Sequence, residues 1–402
     1  IKYWDLPSID EDNLIKDKEY VYKKFTQLLN DSIKIRMRSD VSYGAFLSGG
    51  LDSSSIVALM SKISTHPIKT FTIGYDENEF DESKLAQLVS DKFKTDHFLG
   101  KVTEDSFEKT LNKIVFHCDE PFGDSSAIPT GYVSKFASKS VKMVLTGDGG
   151  DELLSGYPAY QTIEFLKLYK KIPKIVRFSL LSSIKLLNKF SNQSLRYKLN
   201  RYINLLNISS ENFNDRILSS RAKPSLTSIK DLINDDIDLL SCEDYLSEIF
   251  KGCSYKDEFY KLMYFNYKFD LPNDYLVKVD RMSMAYSIET RLPFLDYRLI
   301  EFMAKVDKTV KLQKWEIKSI LKKTIGKNLP LKLMKAPKKG FRVPVREWFK
   351  SKELNKILYN SVSKNKFINK NKLKQIINEN ETGEYDHGNL LWSLIVLDKS
   401  IN

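Results

Sequence analysis

The chain has 402 residues, of which 42% are hydrophobic and 29% are charged, and its formal net charge at pH 7 is +12. This composition excludes a disordered or collagen-like chain, and the length predicts about two domains or one large domain with an additional lobe. No run approaches the ~18 apolar residues of a membrane-spanning helix. The three cysteines have no CxxC spacing, which argues against a disulfide framework or a zinc site, so we expect a reducing, cytoplasmic setting.

The positive charge has two interpretations. The simpler one is a lysine-rich, solvated surface, because acidic residues are interleaved with the lysines, for example at residues 104–109 and 231–238. The alternative is a surface that binds anions. We expect no membrane partner, and the chain contains no RNA-binding motif that would favour nucleic acid.

Short apolar runs alternate with helical patterns in the first part of the chain. After a polar, extended lead-in over residues 1–15, the predicted order is helix Asp17–Met37, strand Tyr43–Leu47, helix Ser54–Ile63, strand Thr70–Gly74, helix Asp81–Phe93 and strand Val141–Leu145. Strands alternating with helices predict an α/β fold with a doubly wound parallel sheet.

The second part of the chain has few strand signals. Helical patterns cover Phe165–Leu187 and Asp244–Phe269, and Pro330–Pro344 is predicted to be a basic loop. We therefore divide the chain into a lead-in over residues 1–16, an α/β core over 17–158 and a large, mainly helical portion over 159–402.

The sequence Ser-Gly-Gly-Leu-Asp-Ser-Ser-Ser at residues 48–55 lies where a strand passes into a helix. Two glycines, several hydroxyls and the N–H groups of a helix N-terminus predict a cradle for phosphate. The sequence matches neither a Walker A loop nor G-x-G-x-x-G. Asp52 would repel a phosphate unless a cation such as Mg²⁺ lies between them. The alternative is a turn in which Asp52 caps the helix.

A second glycine-rich loop, Thr-Gly-Asp-Gly-Gly-Asp-Glu at residues 146–152, follows another predicted strand. An ordinary surface turn could have this composition. However, loops at the carboxyl ends of parallel strands meet at one edge of the sheet. Asp52 and Asp151 could then hold one Mg²⁺ together, which leaves Asp148 for another role.

The first loop resembles the pyrophosphate loop of the N-type ATP pyrophosphatases, and with the second loop the chain is similar to the asparagine synthetase family of the glutamine-hydrolysing type. Three further stretches agree, at residues 271–284, 289–296 and 337–344, and the similarity covers about residues 3–350. The resemblance implies an adenine nucleotide alpha hydrolase-like fold. It also implies that 17–402 form a synthetase domain and that 1–16 follow a glutaminase domain absent from this chain.

The resemblance implies an AMP-forming carbon–nitrogen ligase of asparagine biosynthesis that uses ATP and Mg²⁺. A substrate carboxylate, with aspartate favoured, would attack the α-phosphate to give an acyl-adenylate and pyrophosphate. Ammonia would then give the amide and AMP, and this ammonia would come from glutamine through a glutaminase domain in cis or in trans. A homodimer is compatible with the resemblance.

Carried over residue by residue, the resemblance assigns the catalytic roles to Asp148, as general base, and to Lys338, as the lysine that stabilises the adenylation transition state; Lys339 is an alternative to Lys338. It assigns Asp52 and Asp151 to magnesium, and Arg281 to a contact with pyrophosphate. It assigns ATP binding to Leu47, Ser48, Gly49, Gly50, Asp52, Ser53, Ile73, Thr146 and Gly147. Glu289, Arg291 and Asp296 are expected to form a structural ion-pair network.

One departure from the family pattern is the missing nucleophilic cysteine of a glutaminase, since residue 1 is Ile and the first cysteine is Cys118. This chain is not expected to hydrolyse glutamine by that mechanism. Three alternatives stay open: a relative that acts on another carboxylate, by lactam or macrolactam formation or sugar-acid amidation; a tRNA-modifying enzyme with a pyrophosphate loop; and a nucleotide-binding pseudoenzyme.

Overall fold

A five-stranded parallel sheet forms the centre of the fold. In the computed structural model, which describes residues 1, 3–75, 81–101, 107–191, 193–221, 226–234, 242–336, 343 and 345–401, the strand order is β3-β2-β1-β4-β5. The strands are β1 (Tyr43–Phe46), β2 (Lys69–Gly74), β3 (Asp96–Lys101), β4 (Met143–Leu145) and β5 (Glu289–Arg291). The three predicted strands are confirmed. The other two were not predicted, because β3 is an edge strand with only two adjacent apolar residues, Phe98 and Leu99, between polar ends, and β5 is a short polar segment.

The sheet lies between two hydrophobic clusters, as a doubly wound fold requires. Met143 and Leu145 belong to the cluster that contains the first helices of the chain, whereas Val144 between them belongs to the second cluster. Successive side chains of a strand point to opposite faces, so both faces of β4 are covered. The predicted fold class is confirmed.

Helices make up most of the remaining structure. They are α1 (Lys18–Arg36), α2 (Leu51–Ile63), α3 (Ser83–Phe93), α4 (Phe107–Cys118), α5 (Ala127–Ala137), α6 (Gly150–Leu153), α7 (Pro158–Lys170), α8 (Lys174–Lys189), α9 (Gln193–Asn207), α10 (Phe213–Arg221), α11 (Leu226–Leu232), α12 (Cys242–Lys251), α13 (Glu258–Phe265), α14 (Leu276–Met284), α15 (Tyr297–Ala304), α16 (Lys308–Lys311), α17 (Ser319–Lys323), α18 (Leu331–Lys335), α19 (Val345–Trp348), α20 (Lys352–Val362), α21 (Lys370–Thr382) and α22 (Gly388–Ile401). Among the described helices, none is long and apolar enough to cross a membrane.

Two long predicted helices are interrupted in the structure. The helix predicted over Phe165–Leu187 is divided at Pro173, which lacks an N–H group and becomes the N-cap of α8. The helix predicted over Asp244–Phe269 ends at Lys251, and α13 begins after Asp257, whose carboxylate accepts a hydrogen bond from the N–H of Phe259. A π-helical segment over Asn266–Tyr275 then leads into α14.

The strand order places a crevice between the carboxyl ends of β1 and β4. From β1 the chain continues to its neighbour β2 on one side, and from β4 it continues to β5 on the other. The two connections therefore diverge, and ligands of open α/β sheets bind at such a switch point. Both glycine-rich loops begin at this crevice.

Candidate active site

The first loop folds as a compact hydroxyl-lined turn between β1 and α2. The Oγ of Ser48 lies 3.0 Å from the Oγ of Ser53 and accepts a hydrogen bond from the N–H of Gly50 at 3.2 Å. Gly49 has φ +80°, and a Cβ there would lie 2.8 Å from the carbonyl oxygen of Glu82. Glycine is therefore required at this position on both conformational and steric grounds.

Asp52 lies in the first turn of α2, which begins three residues earlier than predicted. The N-cap is Gly50, so the alternative in which Asp52 caps the helix is wrong. A carboxylate in the first turn is favoured by the positive end of the helix dipole. The carboxylate of Asp52 is thus held at the start of α2, next to the loop that is predicted to bind phosphate.

Glycines allow the second loop to pack directly against the first. A Cβ on Gly147 would lie 2.7 Å from the backbone nitrogen of Ser53, and a Cβ on Gly150 would lie 2.8 Å from the carboxyl group of Asp52. Gly149 has φ +83° and is the N-cap of the short helix α6, whose first turn contains Asp151. The glycines in the predicted motif therefore determine how closely the two loops approach each other.

Lys318 connects the two loops, and the sequence analysis did not identify it. Its Nζ lies 2.8 Å from Oδ1 of Asp151 and also donates a hydrogen bond to Oδ2 of Asp52. Lys318 is 5% exposed and has a left-handed backbone with φ 54°. Burial lowers its pKa, but the adjacent carboxylates raise it more, so the net shift is upward and the ammonium stays charged.

The two carboxylates are arranged to hold positive charge. Asp52 and Asp151 approach the same buried ammonium from different loops, which is the arrangement that a shared cation requires. In the described part of the chain no cluster of three or more His, Cys, Asp or Glu side chains could hold a metal ion. Magnesium is usually bound through one or two carboxylates together with substrate phosphates and water, so the donor set fits that ion.

A buried carboxyl group lies next to this pair. Glu152 is 2% exposed, and its carboxylate accepts a hydrogen bond from the hydroxyl of Tyr157. Burial and the nearby charge of Asp151 raise the pKa of Glu152 to about 7. Glu152, the last acidic residue of the second loop, therefore points into the protein interior, where its hydrogen bond to Tyr157 stabilises the loop.

The other predicted ATP-binding residues lie at the carboxyl ends of β1, β2 and β4. Leu47 and Ile73 are buried at the ends of β1 and β2, and the N–H of Leu47 donates to the carbonyl oxygen of Phe71 at 2.9 Å. The N–H of Thr146 donates to the carbonyl oxygen of Arg291 at 3.0 Å, which places Thr146 beside β5. These positions share the carboxyl edge of the sheet, and their assignment to ATP binding stays a prediction.

Two predicted site residues stand apart from this group. Lys338, together with its alternative Lys339, lies outside the described residues. Arg281 is in the last turn of α14, its side chain is half exposed, and its guanidinium lies 3.4 Å from the carboxylate of Asp119. Its contact with pyrophosphate stays a prediction.

A second charged cluster lies between α14 and the start of α5. The Nζ of Lys278 lies 2.8 Å from Oδ2 of Asp124 and 2.7 Å from the Oγ of Ser126. Burial together with the nearby charge of Asp124 raises the pKa of Asp274 to about 7. Asp148, which is partly exposed, contributes to the raised pKa of Lys278. The cluster therefore lies near the predicted general base.

The expected ion-pair network forms with different partners. Arg291 lies 2.6 Å from Glu289, as expected, and its NH1 group donates to the backbone carbonyl of Arg36 at 2.9 Å. Asp296 instead pairs with Arg36 at 3.0 Å and with Arg298 at 2.8 Å. The sequence analysis did not identify these two arginines. Arg36 lies on α1, far from Asp296 in sequence, and Arg298 contacts Asp296 within a single turn of the chain.

Comparisons with known proteins show which family the chain belongs to. The family model for asparagine synthase matches residues 24–401. Asparagine synthetase [glutamine-hydrolyzing] 1 of Bacillus subtilis is 29% identical over 96% of this chain, and a putative asparagine synthetase of Mycobacterium tuberculosis is 29% identical over 93%. A putative asparagine synthetase of Methanocaldococcus jannaschii is 43% identical over 44% of the chain.

The similarity covers only part of each relative. The chain spans 59% of the length of the Bacillus subtilis protein and 56% of the Mycobacterium tuberculosis protein. An amidase of Penicillium rubens, chyE, is 27% identical over 40% of the chain. The family model nevertheless covers nearly all of the present sequence, and this chain belongs to the asparagine synthase family.

Proposed function

We propose that this chain is an ATP- and Mg²⁺-dependent ligase that activates a carboxylate by adenylation and transfers ammonia to it. The observation that carries the proposal is the pairing of Asp52 and Asp151 through Lys318 beside the Ser48–Ser53 cradle. A phosphate cradle and a cation-binding carboxylate pair at one sheet edge suit a polyphosphate with its counterion.

The first chemical step replaces the pyrophosphate of ATP. A carboxylate oxygen of the acceptor forms a bond to the α-phosphorus, and the bond from that phosphorus to the bridging oxygen of pyrophosphate breaks, so pyrophosphate leaves with the bonding electrons. Mg²⁺, when bound by Asp52 and Asp151, would neutralise charge on the phosphates. Lys318 and the hydroxyls and N–H groups of the first loop would hold the pyrophosphate, while Lys338 would stabilise the charge that develops.

The second step forms the amide. The nitrogen of ammonia attacks the acyl carbon, AMP leaves with its oxygen, and a proton passes from nitrogen to a base. Asp148 is partly exposed on the loop that follows β4 and is our candidate for this base. The ammonia would be free in solution or supplied from glutamine by a glutaminase domain in cis or in trans.

Aspartate is our proposed acceptor. The relatives named as asparagine synthetases support this choice, and so does the cluster of Lys278, Asp124 and Asp274, which offers both charge signs to a zwitterionic acceptor. The amidase chyE among the relatives supports a second candidate function, in which adenylation activates a carboxylate other than that of aspartate.

The test is pyrophosphate release from ATP and Mg²⁺ in the presence of aspartate and ammonium, with controls that omit each component in turn. We expect release that requires aspartate, with asparagine and AMP as products. Release that is independent of aspartate but requires another carboxylate would support the second candidate. Binding of ATP without any carboxylate-dependent release would contradict the ligase proposal.

A further inference from the structure

The positive charge of this protein is concentrated in one segment. Residues 165–210 contain ten lysines and arginines and no aspartate or glutamate, so they supply +10 of the chain's net charge of +12. The rest of the chain is therefore nearly neutral. This count favours the anion-binding interpretation over a uniformly lysine-rich surface.

The same segment contains much of the exposed apolar surface. Helix α8 has no buried residue. Phe178 and Phe190 are 73% and 84% exposed, and Ile175 is 81% exposed. Of the 30 large hydrophobic side chains that are exposed among the described residues, 12 fall between Phe165 and Tyr202. Concentrated exposed apolar surface of this kind marks a surface that binds something.

The residues of α8 divide into an apolar face and a basic edge. At 100° per residue, the exposed side chains of Ile175, Val176, Leu180, Leu186 and Leu187 fall within an arc of about 140°, which also contains the small, exposed side chains of Ser179 and Ser183. Lys174, Lys185 and Lys189 project together along one border of that arc, and the exposed ring of Phe178 lies between them. The partly buried positions, such as Leu181 and Ile184, occupy the opposite side.

Helix α9 supports α8 from within the same segment. The guanidinium of Arg196 donates to the backbone carbonyls of Asn188 and Lys189, each at 3.3 Å, and the side-chain amide of Asn188 donates to Asn200 at 2.8 Å. These bonds satisfy carbonyl groups at the C-terminus of α8 and fix its position. The apolar face is thus presented by a supported helix.

We propose that α8 binds the surface of an anionic lipid membrane, with its apolar face among the acyl chains and Lys174, Lys185 and Lys189 at the phosphate headgroups. This proposal revises the expectation from the sequence that the chain has no membrane partner. A helix with an apolar face and a basic border lies in the plane of such an interface and need not span it. A two-fold contact with a second copy would bring two segments without acidic residues together, which like-charge repulsion disfavours. An RNA surface would leave the aliphatic face exposed to water.

The experiment is flotation of the full chain with vesicles of phosphatidylcholine alone and with vesicles in which about a third of the lipid is phosphatidylglycerol. We expect binding only to the anionic vesicles, and we expect added salt to weaken it. The triple variant Lys174→Gln, Lys185→Gln, Lys189→Gln should bind about a hundredfold more weakly, because each lysine near an anionic surface contributes about fivefold. Phe178→Ser with Phe190→Ser should also lose binding.

Matched controls distinguish binding by this surface from the effects of net charge and of nonspecific hydrophobic adsorption. The triple variant Lys62→Gln, Lys139→Gln, Lys356→Gln has the same net charge and changes exposed lysines elsewhere, and Phe116→Ser changes a phenylalanine that is 75% exposed. Both controls should bind vesicles like the unchanged protein. All variants should keep carboxylate-dependent pyrophosphate release, so failure of this proposal is distinguishable from failure of the proposed ligase.

Three results would overturn the proposal. One is equal affinity for neutral and anionic vesicles, or no binding to either. Another is equal weakening by the control variants. The third is the absence of vesicle binding together with a different partner for this surface. That partner would be either single-stranded RNA, bound in a salt-sensitive manner, or a second copy of the chain, whose self-association the phenylalanine substitutions abolish.

Discussion

The ammonium of Lys318 lies 2.8 Å from the carboxylate of Asp151, and the same ammonium also bonds Asp52 on the facing loop. The three charged groups come from α2, α6 and the N-terminus of α17. Their assembly links the helical portion of the chain to the edge of the parallel sheet. The site therefore depends on the docking of two parts of the chain that are far apart in sequence.

Replacement of Lys318 by Met should destabilise the protein, because it leaves two carboxylates without their buried counterion. We expect a loss of about 3–5 kcal/mol in the free energy of unfolding. Thermal denaturation with and without Mg²⁺ checks the assignment, since Mg²⁺ should restore part of the stability of this variant. Lys314→Met, at an exposed position on the same chain segment, is the control and should change little. An equal response of both variants to Mg²⁺ would contradict the cation assignment.

Replacement of Asp52 by Asn should abolish pyrophosphate release while the protein stays folded. The neutral amide has nearly the same size but cannot offset the charge of a cation between it and the phosphates. We expect at least a hundredfold loss, on the order of the effect of removing a key electrostatic group. The assay is pyrophosphate formation, with circular dichroism to confirm folding and Asp91→Asn as the control. Unchanged turnover would exclude Asp52 from the metal site.

Replacement of Gly156 by Ala should disturb the same site through packing. A Cβ at this position would lie 2.0 Å from Oδ1 of Asp151 and 2.2 Å from Cε of Lys318. Overpacking of this kind costs about 1–3 kcal/mol, and we expect a lower melting temperature together with reduced pyrophosphate release. Gly131→Ala is the matched control, because its Cβ would meet only ordinary contacts beyond 3.6 Å. A fully active Gly156→Ala protein would show that the close packing of Gly156 against Asp151 and Lys318 is not maintained.

Asp296 should contribute to stability above about pH 4 and lose that contribution as the pH falls towards 2. Burial raises the pKa of Asp296, but hydrogen bonds from Arg298 and Arg36 lower it by a larger amount, so the net pKa is about 2. The unfolded chain therefore takes up this proton first, and stability falls with pH in that window. Asp296→Asn should cost about 2 kcal/mol at pH 7 and flatten the acid limb of the curve. Urea denaturation from pH 2 to 6 measures both effects, with Asp40→Asn as the control.

Lys311 should destabilise the native state near neutral pH. Its side chain is 1% exposed, its Nζ lies 3.4 Å from the sulfur of Met263, and burial lowers its pKa to about 7. Between pH 7 and 10 the unfolded chain binds the proton that the native state lacks, so stability from this group increases with pH.

Lys311→Met should remove this pH dependence and raise the free energy of unfolding at pH 7, by on the order of 4 kcal/mol at most. Urea denaturation of both proteins at pH 6 and pH 9 makes the comparison. Lys305→Met, at an exposed position, should leave stability unchanged. A variant less stable than the unchanged protein at pH 6 would show that the ammonium has a favourable role.

The strand–turn–helix units and the positions of both glycine-rich loops could be predicted from the amino-acid sequence alone. This was possible because the signals are local: apolar runs of strand length, glycines where the backbone needs positive φ, and acids in the turn that follows each strand. Asp52 and Asp151 could therefore be assigned to one sheet edge from their place after β1 and β4 alone.

The charged residues that complete the site could be identified only from the folded chain. Lys318, Lys278 and Arg36 lie in segments whose local patterns resemble those of any solvated helix or turn, and they acquire partners only when distant segments pack together. Burial makes these partners necessary, because an ammonium or guanidinium removed from water keeps its charge only when it is paired with a carboxylate. Burial of that kind depends on the whole fold and cannot be inferred from the spacing of residues along the chain.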